Sequence, residues 1–485
     1  MRFGFLFLLF FCLKAVTAHA SVDWKALALK DLNHINQILK DHHPGPADRE
    51  NPFFRDWILR GTSETKKLIE RIQSADGYRY ALLYYVKGFQ DSHLNFEFDP
   101  SLGAPSLEWS GLIISYRKQN FIVHSSSKNT KVFGDLPPKD SVLVSCDGRK
   151  ALDIIQADLL PFMGNPNLEA HWALYAPYIL FDHKNPFVQR PRNCLFQIGK
   201  ELKSFELKYE TAKETIRDQI NKAAFGTAQE FSFRKVGKSI YWVRIPTFDL
   251  NTKREVQLFQ RLIKSIPQAR NARRVVFDLR HNRGGAPRWG DQILNRFFTP
   301  EYTSYRLFAK PSRRYGQIRA SEENLAHYKM ILKKLKKQGL KNSPSYKAIQ
   351  TSIKSIQFSL KNKLKLTPPP ASNDAYPSPV KAEVFFLTDG HCASACLIFA
   401  DKLLQFPNVA HIGFPTSADS AYLEGRYKLL KSKRARLYFA VLVDRYRSRG
   451  YNEPLFPKVT WQGDWQEKEL MEWVRNLPTP STLEK

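Results

Sequence analysis

Hydrophobic positions recur at helical spacing between residues 22 and 89, which predicts a helical N-terminal region. The first stripe runs from Trp24 to Leu39 and ends at the His42-His43-Pro44 turn. Two further helices are predicted at 65–72 and 78–89. A solvated helix end is predicted for the two histidines, because no carboxylate stands at metal-ligand spacing on a continuing helix.

The spacing changes from helical to alternating after the third predicted helix. Asn95-Phe96-Glu97-Phe98 alternates polar and apolar positions and predicts a short strand. His93 therefore lies at a helix-to-strand junction, where a side chain can be held at the rim of a site. A lone histidine is more often structural than catalytic, so a catalytic role for His93 is supported only by motifs further along the chain.

Short strand-like runs dominate residues 111–207. Ser141 to Cys146 is one of them, and it is followed by Asp147-Gly148 and by a predicted helix at 151–160. This order predicts a small β-rich module. Its Asp-Gly turn resembles that of the peptide-binding PDZ module, and a β-rich spacer is the alternative.

Strands and helices alternate in the second half of the chain, which predicts an α/β layer around a buried sheet. A strand is predicted at 240–245, a helix at 253–266 and a strand at 274–280. The run from Glu383 to Thr388 predicts another strand, and a helix at 395–404 follows it.

Residues 301–378 interrupt this alternation and are predicted to be an insertion containing a helical hairpin. Between Asn324 and Asn373 the insertion carries eleven lysines and no acidic residue. A solvated positive face is the plain interpretation, and contact with an anionic surface is the functional one.

Ser394 stands between the strand that ends at Thr388 and the helix that begins at Ala395. The free N–H groups and the positive dipole end of a helix favour negative charge at such a position. The sequence therefore suits an exposed nucleophile beside an oxyanion site. The alternative is that Ser394 only caps its helix.

The loop His281-Asn282-Arg283-Gly284-Gly285 follows another predicted strand. Paired glycines allow the backbone to approach a ligand closely and to direct N–H groups at it. A phosphate-binding loop is the alternative, but neither the P-loop pattern nor the dinucleotide-binding pattern is present.

The first twenty residues have the composition of a secretory signal peptide. Arg2 precedes the apolar run from Phe3 to Leu13, and Ala18-His19-Ala20 is a small-x-small cleavage site. The sequence thus predicts an exported (periplasmic or secreted) protein. The formal charge of +29 over 485 residues suggests attraction to anionic surfaces, whether membrane, envelope polymer or nucleic acid. Solubility and adhesion without a specific partner is the alternative.

Four of the five cysteines lie beyond the predicted signal peptide. In an oxidising compartment Cys146 could pair with Cys194, and Cys392 and Cys396 could bridge across the turn that contains Ser394. The sequence leaves both pairings open. None of them has zinc-site spacing, so no metal site and no cofactor are predicted.

Four motifs together resemble the S41 peptidases, the family of C-terminal processing and tricorn-type serine proteases. Val275 to Gly285 is similar to the family's "vvDLRxNxGG", and Asp389 to Phe399 is similar to the segment around its nucleophile. Ala410 to Thr416 resembles the segment that follows the nucleophile, and Asp91-Ser92-His93 resembles the "D-G-H" before the PDZ module. The resemblance implies an α/β fold with a crotonase/ClpP-like catalytic core.

The resemblance also implies the catalytic plan. Asp419 stands where the Ser–Lys branch has its lysine, so the tricorn-like branch applies, with Ser394 as nucleophile and His93 as general base. Glu453 is the orienting carboxylate by the same resemblance, although Pro454 follows it where the family has Asn-x-Gly. The backbone N–H groups of Gly285 and Ala395 would form the oxyanion hole.

The sequence therefore predicts an exported serine endopeptidase that acts on proteins or peptides, without a specific nucleic-acid partner. The alternatives are a non-catalytic binding protein on the same fold and a basic envelope- or nucleic-acid-binding protein. The predicted division is a signal peptide at 1–20, a helical domain carrying His93 at 21–110, a PDZ-like module at 111–210, a catalytic core at 211–300 and 379–485, and the basic helical-hairpin insertion at 301–378.

Overall fold

The computed structural model describes residues 22–103, 105–225, 229–308, 315–341, 343–368, 377–445, 447, 449–463 and 467–483. The predicted signal peptide lies outside these residues. Within them, no helix combines the length and the apolar character needed to cross a membrane.

The α-helices of the described residues are α1 Trp24–His42, α2 Pro52–Ile69, α3 Ala75–Lys87, α4 Thr130–Phe133, α5 Ala151–Ile154, α6 Leu160–Met163, α7 Glu169–Tyr175, α8 Ile216–Phe225, α9 Lys253–Ser265, α10 Pro287–Phe298, α11 Pro300–Phe308, α12 Glu322–Lys337, α13 Pro344–Lys361, α14 Ala395–Leu403, α15 Glu467–Asn476 and α16 Pro480–Leu483.

The strands are β1 Asn95–Phe98, β2 Glu108–Trp109, β3 Leu112–Arg117, β4 Asn120–Ser126, β5 Val142–Cys146, β6 Arg149–Lys150, β7 Phe181–Asp182, β8 Asn193–Ile198, β9 Glu201–Glu206, β10 Glu210–Thr211, β11 Ser232–Val236, β12 Ile240–Arg244, β13 Arg274–Asp278, β14 Tyr315–Ile318, β15 Glu383–Thr388, β16 Val409–Gly413, β17 Tyr422–Leu429, β18 Ala435–Arg445 and β19 Val459–Thr460.

A six-stranded sheet lies at the centre of the α/β region, in the order β11-β12-β13-β15-β16-β19. All neighbouring strands pair in parallel except β11, which is antiparallel at one edge. Strands β13 and β16 are buried along their whole length, as expected for a sheet covered on both faces. The turns that follow β13 and β15 therefore meet at one edge of the sheet, and both predicted motifs lie there.

The N-terminal helices α1 to α3 pack on a second sheet, in which β18 pairs with β1, β14 and β17. The predicted hairpin is present as α12 and α13, and its apolar side joins the same hydrophobic core through Leu325, Tyr328 and Ile356. The hairpin therefore contributes packing to the part of the molecule that carries His93.

The β-rich module is a sheet in the order β3-β4-β5-β8-β9, with β6 paired to β5. Its strands pair antiparallel, and Cys146 lies directly opposite Cys194. The two cysteines form a disulfide, a pairing that the sequence left open.

The second helix differs from the sequence prediction, because it begins at Pro52 and not at Thr65. Pro52 occupies the first turn, where its missing N–H costs nothing. Gly61 lies inside the helix against the Trp57 ring, and a Cβ there would lie 2.5 Å from that ring. Pro52 and Gly61 are of types that usually interrupt helices, so the sequence pattern did not predict the first half of α2.

Candidate active site

Ser394 lies in the tight turn between β15 and α14, with a φ of 52° and a ψ of −119°. A non-glycine residue with this backbone costs about 1–3 kcal/mol and persists where the surroundings impose it. The disulfide between Cys392 and Cys396 closes the turn around Ser394. The Ser394 side chain makes no capping hydrogen bond to α14, so the interpretation of Ser394 as a mere helix cap is wrong.

The glycine loop after β13 packs directly against this turn. The φ angles of Gly284 and Gly285 are 93° and 129°, in the region that favours glycine. A Cβ on Gly284 would lie 2.8 Å from both the Ser394 Cβ and the Ala395 nitrogen. The paired glycines therefore allow the loop to approach the serine, as the sequence predicts.

Two backbone N–H groups remain available at this contact. Among the described residues, neither the Gly285 N–H nor the Ala395 N–H donates a hydrogen bond to a protein acceptor. Ala395 is the first residue of α14, so its N–H has no acceptor within the helix. The arrangement can therefore bind an oxyanion beside Ser394.

A buried cluster of charges holds the base of the glycine loop. Asp278 is fully buried, and its carboxylate accepts hydrogen bonds from Trp242 at 2.9 Å, from Arg244 at 3.1 Å and from Arg280 at 2.7 Å. Burial opposes ionisation, but the two arginines and the tryptophan N–H outweigh it and lower the pKa of Asp278. The Asp-Leu-Arg part of the motif thus fixes the loop in place.

Asp389 ties the two turns together next to the serine. Its carboxylate accepts the backbone N–H of His281, at 3.1 Å, and that of His391, at 3.0 Å. The Nδ1 atoms of the same histidines lie 3.8 and 3.1 Å from Asp389 Oδ2. Burial acts to raise the pKa of Asp389, but His391 and, less strongly, His281 lower it to about 2.

These three side chains could hold a metal ion, which the sequence analysis does not predict. Their ligand atoms all lie within 4.8 Å of one another. His281 and Asp389 are 108 residues apart, so a search for closely spaced ligands could not find the cluster. Only the packing of the two turns brings the three side chains together.

His93 lies in the turn between α3 and β1 and is partly exposed. Its backbone N–H donates to Asp91 Oδ1 at 3.0 Å, and its Nδ1 lies 3.8 Å from the same oxygen. Asp91 is fully buried and also accepts hydrogen bonds from His43 Nε2, at 3.0 Å, and from Ser420 Oγ, at 2.7 Å. Asp91 is thus the carboxylate that holds the turn carrying His93.

The prediction of a solvated His42-His43 pair is wrong. His43 is completely buried and stacks on Phe54, and His42 is largely buried. His43 Nδ1 accepts the Gly45 N–H at 2.9 Å, so His43 Nε2 carries the proton that is donated to Asp91. Burial is the main reason that the pKa of His43 is lowered. Tertiary packing, which residue spacing does not report, buries this helix end.

Residues 416–420 connect the serine to the histidine. The Ser417 N–H donates to the Cys392 carbonyl at 3.1 Å, beside Ser394, and Ser420 Oγ donates to Asp91, beside His93. Consecutive Cα atoms are about 3.8 Å apart, so these two anchors lie within about 11 Å along the chain. The serine turn and the Asp91 network are therefore joined through a segment of five residues.

Asp419, at the position of the lysine in the Ser–Lys branch, is buried and paired with two arginines. Its Oδ1 lies 2.8 Å from Arg447 and 2.6 Å from Arg449. Burial opposes its ionisation, but Arg449 and Arg447 outweigh this effect and lower the pKa of Asp419. A carboxylate held in this way cannot replace the neutral amine that a Ser–Lys mechanism needs.

Glu453, the third residue that the sequence nominates, is exposed. Its carboxylate accepts the Gly450 N–H at 2.9 Å. Among the described residues, no hydrogen bond or ion pair joins Glu453 to His93. The structure thus places Asp91, and not Glu453, next to the His93 imidazole. The signal for this pairing is in the Asp91-Ser92-His93 motif, where the carboxylate stands two positions before the histidine.

Part of the chain matches a known protein family, and its fold is similar to known structures. Residues 239–455 match the profile of peptidase family S41. No curated protein sequence matches the chain. The fold is similar to crystal structures of mature CPAF, at 12% identity and a TM-score of 0.61, over 90% of this chain and 93% of that one.

Two further CPAF structures are similar to this chain. The complex of mature CPAF with lactacystin has a TM-score of 0.64 at 12% identity, over 90% of this chain and 94% of that one. The S499A mutant has a TM-score of 0.62 at 10% identity, over 90% and 93%. At these identities the likeness concerns the mixed α/β fold. The matched residues 239–455 contain the glycine loop, the serine turn and residues 416–420, so the part of the chain that carries these turns is similar to the peptidases of family S41.

Proposed function

We propose that this protein is an exported serine endopeptidase that cleaves proteins or peptides through an acyl-enzyme on Ser394, with His93 as general base. The observation that carries the proposal is the strained backbone of Ser394, whose side chain does not cap α14. This serine lies against the glycine loop, beside the backbone N–H groups of Gly285 and Ala395. Strain of this kind is kept where function requires it. A helix cap would need neither the strain nor the glycine loop.

The proposed reaction begins when His93 takes the proton of Ser394 Oγ as that oxygen attacks the peptide carbonyl carbon. The Gly285 and Ala395 N–H groups stabilise the negative oxygen of the tetrahedral intermediate. His93 then gives its proton to the leaving amine, and the acyl-enzyme forms. Water, deprotonated by His93, attacks the ester, and His93 then returns that proton to Ser394 Oγ as the product acid leaves.

Two carboxylates are candidates for orienting His93. The sequence resemblance favours Glu453, whereas the 3.8 Å separation of Asp91 Oδ1 from His93 Nδ1 favours Asp91. Catalytic hydrogen bonds are often long in a free enzyme and shorten when substrate binds. We therefore propose Asp91 as the positioning residue and keep Glu453 as a separate hypothesis.

The finer assignment of the fold belongs to this proposal. The central parallel sheet and its helices support a crotonase/ClpP-like catalytic core, and the antiparallel sheet β3-β4-β5-β8-β9 supports a PDZ-like module.

The disulfides Cys146–Cys194 and Cys392–Cys396 support export, because such bonds persist in oxidising compartments. Intact-mass measurement tests the proposal of export, because the exported protein should begin at Ser21.

The hairpin is proposed to contact anionic surfaces. All eleven lysines between residues 324 and 373 are exposed, and the exposed Met330 and Phe358 lie at helical spacing from Lys334 and Lys354. Replacing Lys334 and Lys337 by glutamine should weaken salt-sensitive binding to anionic vesicles. The matched replacement of the exposed Lys66 and Lys67 on α2 should leave it unchanged. Equal weakening by both pairs would show that only net charge matters.

Two variants test the catalytic proposal. Ser394→Ala and His93→Ala should each reduce kcat by several orders of magnitude, and the double variant should lose little more, because the pair acts as a unit. A fluorophosphonate should add to the wild-type serine, and not to Ser394→Ala, in an intact-mass assay. A wild-type protein without hydrolysis or labelling would support the non-catalytic binding protein. Hydrolysis retained by Ser394→Ala would overturn the proposal.

A further inference from the structure

We infer that His281, Asp389 and His391 form a zinc-binding site beside the nucleophile, and that zinc bound there inhibits the peptidase. The binding part does not depend on the proposed function, whereas the inhibition rests on it. The cluster joins the glycine loop, which begins at His281, to the turn that carries Ser394.

The separations of the ligand atoms suit a tetrahedral ion. Zinc binds nitrogen and oxygen at about 2.0–2.2 Å, which puts two ligands of a tetrahedral site about 3.4 Å apart. The Nδ1 atoms of His391 and His281 lie 3.1 and 3.8 Å from Asp389 Oδ2, on either side of that value. The ligand atoms of the two histidines lie within 4.8 Å of each other, so the imidazoles must rotate to form the site.

The hydrogen bonds of His391 match those of a metal ligand. His391 Nε2 lies 2.6 Å from the Ala224 carbonyl oxygen, so Nε2 carries the proton that is donated to it. In the neutral ring the Nδ1 lone pair then faces the Asp389 carboxylate, and a proton or a metal ion must separate the two. A ligating histidine that donates its other N–H to a carbonyl is the usual arrangement around zinc.

The composition of the cluster favours zinc over harder ions. Two imidazoles and one carboxylate suit zinc, whereas magnesium and calcium prefer oxygen ligands. Cys392 and Cys396 form a disulfide, so these two cysteines provide no thiolate beside the cluster. The charge of Arg283 acts on His391 and opposes a cation, which favours a reversible site over a permanently occupied one.

Zinc could reach the site and would have a position left for water. The side chains of His281 and His391 are 26% and 21% exposed, whereas that of Asp389 is 8% exposed. Three protein ligands leave the fourth position of a tetrahedral ion open. The two Nδ1 atoms themselves are buried, so zinc reaches them when the partly exposed imidazoles turn outward.

Inhibition follows from where the ligands are attached. His281 begins the loop that provides the Gly285 N–H, and His391 lies three positions before Ser394. Zinc would draw His281 toward Asp389 and shift that loop. A misplacement of about 1 Å in an active site can reduce the rate about 100-fold. We expect saturating zinc to reduce kcat at least 10-fold.

Zinc binding is measured on the mature, metal-free protein carrying Ser394→Ala, by calorimetry with zinc chloride. One zinc per chain should bind, and His281→Ala or His391→Ala should weaken binding at least 10-fold. His124→Ala, which replaces a half-buried histidine on β4, should leave it unchanged. If an alanine variant at His281 or His391 does not unfold cooperatively, the same measurement is made on the glutamine variant. No binding, or equal weakening by His124→Ala, would overturn the site.

Inhibition is measured as the ratio of peptide hydrolysis with and without zinc within each variant. For the wild-type protein this ratio should be about 0.1 or lower, and a chelator should restore it to about one. For His391→Gln the ratio should stay near one without a chelator. Zinc binding without inhibition would overturn the regulatory part alone. A protein that binds zinc but never hydrolyses peptide would contradict the proposed function and leave the binding site supported.

Discussion

Asp91→Asn replaces the buried carboxylate beside His93 by a group of the same shape without its charge. Asp91 holds His43 Nε2 at 3.0 Å, Ser420 Oγ at 2.7 Å and the His93 N–H at 3.0 Å. The Asn carbonyl oxygen can keep the two bonds made by Oδ1. Its amide NH₂ would face the His43 Nε2–H, so one buried hydrogen bond would be lost.

The structure gives the size of both effects. At the 3.8 Å separation of Asp91 Oδ1 and His93 Nδ1, with an effective dielectric constant of about 20, the carboxylate stabilises the imidazolium by about 4 kcal/mol. Loss of that charge should reduce kcat about 1,000-fold. Loss of one buried hydrogen bond should lower the free energy of unfolding by about 1–3 kcal/mol.

The assay is steady-state hydrolysis of a fluorogenic peptide, with kcat and KM determined separately, beside urea unfolding of each variant. Asp91→Asn should reduce kcat and leave KM nearly unchanged, because the charge acts on the imidazolium formed in the reaction. Glu453→Gln is the matched control and should cost less than about 10-fold. A small loss for Asp91→Asn together with a 1,000-fold loss for Glu453→Gln would refute the assignment of Asp91.

Three further predictions concern the sheet and its turns. Gly284→Ala should reduce kcat at least about 100-fold, because its Cβ would lie 2.6 Å from a backbone oxygen of the serine turn; the assay is peptide hydrolysis. Burial lowers the pKa of His411 to about 3, so below about 6.5 the unfolded state binds a proton that the folded state excludes. The free energy of unfolding should then fall by about 2 kcal/mol between pH 6.5 and 4.5, measured by urea titration. Replacing Cys392 and Cys396 by alanine should lower the free energy of unfolding by about 2 kcal/mol, measured by urea titration.

Each of these predictions has its own control. Gly237→Ala has a similar positive φ but no atom within 4 Å of the new Cβ, so hydrolysis should be unchanged. His411→Gln should lose the acid-dependent part of the stability, and an unchanged slope would show that His411 is not its source. The alanine pair at Cys146 and Cys194 separates the effect of the serine turn from that of disulfides in general. Full activity in the Gly284→Ala variant would contradict the close contact of the loop and the turn.

The sequence by itself determined the elements on which the site is built. Strand β15 from Glu383 to Thr388 and the start of α14 at Ala395 follow from local spacing, because apolar periodicity and turn residues act over a few positions. The paired glycines and Ser394 likewise mark their turns without knowledge of any contact. The hairpin α12–α13 could be predicted for the same reason.

Tertiary structure alone decided which side chains meet. His43, Asp91 and Ser420 form one buried network, and His281 joins Asp389 and His391, although each set is drawn from distant parts of the chain. Burial also decided that Asp419 pairs with arginines and that the positive φ of Ser394 is maintained. Such contacts depend on how sheets and helices pack, and residue spacing carries no information about packing between distant segments.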